Sequence, residues 1–340
     1  MRVVHAEVFH LRAPMGVTAG PAGAYNSHRE TLLLRLTASD GSVGWGETYA
    51  LPGSRAQLEA LAAGLVDADL AAAWPRPVGL DESVASSALG AIDIAWHDLR
   101  GRALGVPVHT LLGGAVRKRI PAYASGFLYQ PGRHPADQWP AEVESVLNRG
   151  FRVMKIRIGL YPPAEELGLL AALVESLPDG ASVVVDAWGS YPPSVALRVG
   201  LRLGDLGIGW FEEPTHHGVA DLAAKLVVPV AGGEMGRTRG DFLRWVTDRT
   251  YDILQPDVAI CGGLGVAGFV AQLTALHGIG CVPHSWNGPV MAAATLHLIA
   301  TMPWVARTGD GALPAAGPLL EYDTSPNPLM EDVVVEPLAV

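Results

Sequence analysis

The chain has 340 residues, of which 49% are hydrophobic and 17% charged, and its formal net charge is −10. The length predicts two domains or one barrel with attachments, and the composition predicts a well-packed globular protein rather than a disordered one. The acidic balance, without a basic stripe, argues against nucleic acid or an anionic membrane as the main partner and leaves small molecules.

The cysteines and the N-terminus indicate the cellular compartment. Two cysteines, Cys261 and Cys281, are too few for a disulfide framework, and their spacing does not suggest zinc. The first residues carry charges among the apolar ones, unlike a signal peptide, and no stretch reaches the roughly 18 uncharged apolar residues of a membrane span. These features predict a cytoplasmic protein.

The first hundred residues predict a small α+β unit. Residues 2–12, 30–38 and 43–50 are typical of strands in an antiparallel meander, and residues 54–65 and 82–104 have helical periodicity. Residues 13–28 are rich in Gly, Ala and Pro without periodicity, which predicts a mobile loop. Such a loop could cover a site, where Tyr25 and His28 would contact a substrate, or it could be a surface connection with no role.

A change in composition near residues 117–121 predicts a domain boundary. Beyond it, parallel strands joined by right-handed helical crossovers are predicted, because strand candidates alternate with helices to about residue 303. A closed barrel is favoured over an open doubly wound sheet, because neither a Walker sequence nor a convincing GxGxxG motif opens a helix. The strand candidates are 120–125, 152–157, 182–186, 208–212, 229–234, 252–256 and 279–283.

Three successive strand candidates end in an acid, at Asp186, Glu212 and Glu234. In a barrel these ends converge on one rim, where three carboxylates are costly unless a hard cation lies among them. The donor set suits Mg²⁺, although each acid taken singly could be an ordinary strand end. Glu213 should point the other way along its strand, so it is expected to be an ion-pair partner rather than a ligand.

Two cations occupy alternate positions on the second barrel strand. Lys155 and Arg157 therefore point to the same face of that strand. Buried cations are costly, so we expect anions opposite them, either protein carboxylates or the carboxylate of a substrate. The alternative is an edge strand whose charged side chains are exposed to water.

An acid and a histidine follow the next two strands, at Asp257 and His284. An Asp that accepts a hydrogen bond from a His fixes the imidazole tautomer and raises its basicity. This pairing predicts a catalytic dyad, whereas a lone His after a proline would be a turn residue. His216, shortly after the Glu212 strand, could contact substrate.

These residues resemble the enolase superfamily and, within it, the mandelate racemase-like group (the mandelate racemase/muconate lactonizing enzyme family). The resemblance covers nearly the whole chain. It rests on Ala91-Ile92-Asp93-Ile94-Ala95-Trp96-His97-Asp98-Leu99, the later Leu-Leu-Gly-Gly, Lys155-Ile156-Arg157, the acids Asp186, Glu212 and Glu234, Gln255-Pro256-Asp257, His284, and Leu320-Glu321-Tyr322-Asp323.

The resemblance implies an α/β fold, a modified TIM (β/α) barrel (118–320) with an N-terminal α+β capping domain (1–117) completed by the C-terminal tail (321–340). It also implies one Mg²⁺ per subunit at the three acids, a small carboxylate substrate and a homo-oligomer. The shared step of the family is abstraction of the proton α to a carboxylate. Lys155 would contact that carboxylate, Glu321 would hydrogen-bond it, and Asp257 with His284 would form the base.

Two residues depart from the family pattern. Arg157, at a catalytic position, replaces a second lysine that commonly acts as a base in the family. A guanidinium with a pKa above roughly 12 is a poor base. Trp188 replaces a common asparagine and should alter the distal end of the substrate site. Because Arg157 is a poor base, a one-base reaction is predicted, namely dehydration of a sugar acid to a 2-keto-3-deoxy acid. The alternatives are a racemase or epimerase, a lactone cycloisomerase, and a non-catalytic acid-sugar binding protein.

Overall fold

The computed structural model describes residues 1–75, 80–303 and 318–338. Its N-terminal part is an antiparallel sheet with helices on one face, because Leu32, Leu34 and Leu36 alternate along one strand and pack against Ile92 and Trp96 of a long helix. The elements of this part are β1 (Val3–Ala19), β2 (Asn26–Ala38), β3 (Val43–Tyr49), α1 (Ser54–Ala63), α2 (Glu82–Leu104) and α3 (Val108–Leu111). The sheet order is β1-β2-β3.

The prediction of a loop over residues 13–28 is wrong for most of that segment. Strand β1 continues to Ala19 and β2 begins at Asn26, and the antiparallel pairing persists with a register shift between Pro14 and Ala19. Backbone pairing therefore overrides a composition that lacks the usual alternation of a strand. The tip of this hairpin also pairs with the barrel, since Gly20 and Tyr129 exchange backbone hydrogen bonds of 3.0 and 3.1 Å.

The rest of the chain forms a curled parallel sheet surrounded by helices, which confirms the predicted modified barrel. The strand order is β10-β9-β8-β7-β6-β5-β4-β11, so the last strand lies beside the first. The elements are β4 (Ala122–Ser125), α4 (Pro135–Asn148), β5 (Val153–Arg157), α5 (Pro163–Ser176), β6 (Ser182–Asp186), α6 (Pro193–Asp205), β7 (Phe211–Glu212), α7 (Val219–Ala223), β8 (Val230–Gly232), α8 (Arg239–Thr247), β9 (Ile253–Leu254), α9 (Leu264–His277), β10 (Gly280–Cys281), α10 (Pro289–Thr301), β11 (Leu320–Asp323) and α11 (Leu329–Asp332).

One apolar layer fills the middle of the barrel. Eight buried residues, one from each strand or its immediate flank, form a single cluster: Tyr123, Val153, Val184, Trp210, Ala231, Ile253, Val282 and Leu319. Because side chains on a strand alternate, the residue two positions later on each strand faces the same interior, one layer closer to the carboxyl ends. Seven of those eight residues are polar: Ser125, Lys155, Asp186, Glu212, Gln255, His284 and Glu321.

The capping sheet is attached to the barrel rim by a buried carboxylate. Glu47 of β3 accepts hydrogen bonds from the hydroxyl of Thr31 (2.7 Å) and from the amide of Met291 in the first turn of α10 (2.8 Å). The positive end of the helix dipole favours an anion at this place. A side chain at Gly288 would collide with Glu47, since a Cβ there would lie 2.0 Å from its Oε1 atom.

The pKa of Glu47 is raised to about 7, chiefly by burial. Its contribution to stability is therefore fully present below the unfolded pKa and is lost as the pH rises to about 7. We expect the unfolding free energy of the wild type, relative to Glu47→Gln, to fall by about 2–3 kcal/mol between about pH 5 and pH 8. Urea unfolding of both proteins at the two pH values measures this difference. A difference that stays constant with pH would contradict the assignment.

A second contact joins the capping sheet to the end of the barrel. Arg29 of β2 donates to Asp323 (3.1 Å), the last residue of β11, and to Ser325, two residues later. The contact ties residues near both ends of the described chain to each other. Among the helices of the described ranges, none is long and apolar enough to span a bilayer.

Candidate active site

A buried lysine lies at the centre of the polar layer. The Nζ atom of Lys155 is 2.5 Å from Glu212 Oε1, 2.7 Å from Glu321 Oε1 and 3.5 Å from Asp186 Oδ2. Burial alone would lower the pKa of Lys155, but these three carboxylates together raise it above its ordinary value. Lys155 is therefore held in its charged form.

Strand β5 presents its two cations to the barrel interior. Lys155 and Arg157 are both buried, and β5 is paired on both sides, with β4 and β6, so the exposed edge-strand alternative is excluded. Met154, just before Lys155, and Ile156, between the two cations, point outward and pack against the helices. Arg157 donates to Asp186 Oδ2 at 2.6 Å. The expected anions opposite the cations are therefore protein carboxylates in this structure.

The acids on β6 and β7 each have several partners. Glu212 Oε2 accepts hydrogen bonds from Trp210 (3.0 Å) and Gln255 (2.8 Å), while Oε1 accepts from Lys155. The other oxygen of Asp186 accepts from the amide of Trp188 at 2.8 Å. Burial raises the pKa of Glu212, and the neighbouring carboxylates add to this effect against the opposing charge of Lys155. The cluster thus concentrates negative charge away from water.

Asp257 and His284 form the predicted pair. His284 Nδ1 is 2.7 Å from Asp257 Oδ2, so the ring donates its Nδ1 proton to this carboxylate. The opposite ring atom, Nε2, is 3.3 Å from Glu234 and 3.8 Å from Glu321. His284 therefore presents Nε2 to the carboxylate cluster.

The carboxylates around His284 control its charge. Burial lowers the pKa of His284, but Glu234 and Glu321, together with Asp257, outweigh burial and raise it to about 10. In turn, the pKa of Glu321 is lowered, because Lys155 and His284 outweigh its burial. Glu321 is also held by Ser125 Oγ (2.7 Å) and the amide of Ser285 (3.0 Å).

The donor set suits a hard divalent cation. Asp186 and Glu212 are paired neighbours on adjacent strands, and Glu234 follows the next strand, so three carboxylates share one rim. Positive charge near Glu234 would offset the effect that raises the pKa of His284. As the side chains of the described residues stand, however, no three Asp, Glu, His or Cys groups could hold one metal ion. Each acid instead contacts a protein cation: Lys155, Arg157 or His284.

Glu213 differs from its expected role as an ion-pair partner. Within the described ranges, its carboxylate accepts a hydrogen bond from the amide of Gly233 at 2.8 Å. Its backbone has a φ of 40°, which turns the chain sharply after β7. Glu213 therefore fixes the loop that leads to Glu234, because Gly233 immediately precedes that acid.

Two adjoining cavities open above the cluster, with volumes of about 450 and 160 Å³. Trp188 lines both and is 45% exposed, and its φ of 46° is uncommon for a large side chain. His28 lines the larger cavity. Tyr25 and His216 are exposed and lie outside the lining of both, as far as the described residues define it.

Several residues at this site were not singled out from the sequence. Tyr49 of β3 donates to Asp257 Oδ2 at 2.8 Å and lines both cavities. Ser125 contacts Glu321, and the guanidinium of Arg29 stacks 3.8 Å over the ring of Trp286. Ser125 lies two residues after Tyr123 of the apolar layer, and this strand alternation is the sequence pattern that could have predicted it.

Both parts of the chain match known families. Residues 3–113 match the mandelate racemase / muconate lactonizing enzyme N-terminal domain, and residues 138–337 match the enolase C-terminal domain-like family. The second match alone spans more than half of the chain.

Individual relatives give the same result. A D-galactarolactone cycloisomerase of Agrobacterium fabrum is 32% identical over 91% of this chain and 84% of its own. An arabinonate dehydratase of Saccharolobus solfataricus is 30% identical over 81% of this chain and 78% of its own. A solved enolase from Thermobispora bispora, complexed with magnesium and formate, superposes with a TM-score of 0.80 at 24% identity over 94% of this chain and 82% of its own. The chain is an enzyme and belongs to the mandelate racemase / muconate lactonizing enzyme family of the enolase superfamily, among relatives named as dehydratases (lyases) and cycloisomerases (isomerases).

Proposed function

We propose that this enzyme removes the proton α to the carboxylate of an acid sugar, with His284 as the base, and then eliminates water from the β-carbon to give a 2-keto-3-deoxy acid. The observation that carries this proposal is the Asp257–His284 pair, whose Nε2 atom faces the buried carboxylate and lysine cluster. The dehydratases among the relatives support the choice of reaction.

His284 has the geometry of a base that becomes an acid. Asp257 holds Nδ1, so in the uncharged ring Nε2 is the atom that accepts the α-proton and then returns a proton to the departing β-hydroxyl. The electron pair of the C–H bond moves toward the carboxylate and returns to form the C=C bond as the C–O bond breaks. Tautomerisation of the resulting enol gives the 2-keto product.

The opposite side of the cluster is cationic. Lys155 is charged and would offset the negative charge that develops on the substrate carboxylate. Glu321 is ionised beside Lys155, so it would hydrogen-bond the same group only when it carries a proton. Burial would lower the pKa of Arg157, but Asp186 and the other acids raise it, so its guanidinium keeps its proton. A single base therefore serves the reaction, which favours elimination over two-base racemisation.

The acids Asp186, Glu212 and Glu234 would hold one Mg²⁺, as the chemistry of the donor set indicates. When bound, Mg²⁺ supplies Lewis-acid stabilisation of charge on the substrate carboxylate. Trp188, which lines both cavities, and His28, which lines the larger one, would contact the distal part of the substrate, with Tyr25 and His216 at the periphery.

A lactone cycloisomerase is the second candidate, favoured by the 32% identity to the galactarolactone enzyme. Both reactions begin with removal of the α-proton by one base. They differ in the group that leaves the β-carbon, which is water in the dehydration and the ring oxygen of the lactone, released as a carboxylate, in the cycloisomerisation.

A screen in D₂O tests the proposal. The purified enzyme is incubated with a panel of aldonic acids, aldaric acids and their lactones, with Mg²⁺ and after EDTA treatment. We expect ¹H NMR to show loss of the α-proton, and a 2-keto product from one substrate class, only with Mg²⁺ present. A keto product from an open acid indicates dehydration, and one from a lactone indicates cycloisomerisation. Exchange accompanied by an epimer and no keto product would overturn the elimination step.

A further inference from the structure

Three consecutive residues at the end of β3 contact the part of the barrel that carries the dyad. Glu47 binds the first turn of α10, which follows the His284 loop. Thr48 Oγ1 donates to the carbonyl of Ala259 at 2.8 Å, and Tyr49 donates its phenol to Asp257 at 2.8 Å. The capping domain therefore contacts the flanks of both residues of the dyad.

The Asp257 carboxylate accepts hydrogen bonds at both of its oxygens. Its Oδ1 atom accepts from the amide of Ala259 at 2.7 Å. Its Oδ2 atom accepts both from Tyr49 and from His284 Nδ1. Because the phenol and the imidazole share one oxygen, the plane of the carboxylate that orients His284 depends on the phenol as well.

The loop beneath this carboxylate is clamped from two sides. Thr48 holds it through the carbonyl of Ala259, and helix α2 packs against it at Gly90. A Cβ at Gly90 would lie 2.8 Å from the carbonyl oxygen of Val258, so no larger residue fits without a shift. The main chain of the loop is thus placed by several contacts, whereas Tyr49 acts on the carboxylate itself.

Tyr49 also lies at the wall of the proposed substrate cavities. It lines both cavities, and the smaller one is lined by Asp257 and His284 as well. Burial and the charge of Asp257 raise the pKa of Tyr49 well above its ordinary value, so the phenol keeps its proton and remains a donor.

We infer that Tyr49 is a positioning residue for the base: its hydrogen bond to Asp257 fixes the carboxylate that orients His284, so a residue of the capping domain completes the catalytic pair of the barrel. This inference rests on the proposed function for its catalytic consequence. The hydrogen-bond geometry that it describes is independent of the reaction.

The kinetic test compares Tyr49→Phe with Thr48→Val. The first variant removes only the phenol oxygen from the dyad, and the second removes the neighbouring bond to the same loop while leaving Asp257 untouched. We expect Tyr49→Phe to lower kcat for α-proton loss about 10- to 100-fold, the range for losing a hydrogen bond to a charged group, with KM changed less than about threefold. Thr48→Val should keep kcat within about threefold of wild type. Equal losses in the two variants would mean that docking of β3 matters and the phenol does not.

A spectroscopic test does not depend on turnover. With ¹⁵N-labelled histidine, the Nδ1 proton of His284 should resonate far downfield because it is donated to a carboxylate, and His284→Asn identifies the signal. Tyr49→Phe should shift this resonance and speed its exchange with water, while Thr48→Val should not. An unchanged resonance in Tyr49→Phe overturns the inference. If no acid sugar reacts with the wild type but the resonance moves, the proposed function fails and the positioning role stands.

Discussion

His284→Asn is expected to abolish α-proton exchange in D₂O, with a loss of about 10³-fold or more. The substitution removes Nε2, the ring atom 3.3 Å from Glu234 and on the far side of the ring from Asp257. General base catalysis typically contributes about 10²- to 10⁴-fold, and His284 is the histidine that lines the smaller cavity among the described residues. The measurement is the ¹H NMR exchange rate of the best substrate from the screen.

Asparagine keeps an amide that can still donate to Asp257, so the fold should be retained. Thermal unfolding and substrate affinity should therefore remain near the wild-type values. His277→Asn is the matched control, because His277 is an exposed residue at the end of α9, on the outside of the barrel. Exchange at a wild-type rate in His284→Asn would assign the base to another residue, and equal losses in both variants would point to misfolding.

Lys155→Met should lose both activity and stability. Methionine nearly preserves the volume but leaves Glu212 and Glu321 buried without their shared cation, which typically costs about 3–5 kcal/mol of unfolding free energy. The charge that we propose to stabilise the developing carboxylate anion is lost as well, so we expect kcat to fall about 10²- to 10³-fold. Urea unfolding and the exchange assay measure the two effects separately.

The double variant Lys155→Met/Glu321→Gln separates stability from chemistry. Removing one of the uncompensated charges should restore part of the unfolding free energy without restoring activity, because neither the cation nor the oriented acid is present. If the double variant is no more stable than Lys155→Met, the lysine does not act by compensating Glu321.

Spacing in the sequence predicted the barrel and most of its polar layer. Each βα unit repeats an apolar strand, and the acids at positions 186, 212 and 234 recur once per unit, so their convergence follows from topology alone. Several barrel strands are shorter than predicted. Strands β7, β9 and β10 have two residues each. After β9 and β10 the chain leaves the regular ladder to form the loops that carry Asp257 and His284.

Contacts between distant segments could not be predicted in the same way. Tyr49 is an ordinary strand-end aromatic until the fold brings it to Asp257, and no periodicity links the two residues. The hairpin of β1 and β2 is extended because its two strands pair with each other and its tip pairs with Tyr129. The sequence of residues 13–28 alone does not reveal either of these pairings. Pairing partners, not local composition, decide such elements.

The attachment of Arg29 to Asp323 and Ser325 has a consequence for biosynthesis. The capping sheet is translated first, yet one of its buried cations finds its anion only when the end of β11 has been made. Glu321, which completes the polar layer beside Lys155, is translated two residues before that anion. Vectorial synthesis therefore delivers Glu321 and the anion that pairs with Arg29 at the same stage, so the polar layer and this second attachment of the capping sheet are completed together.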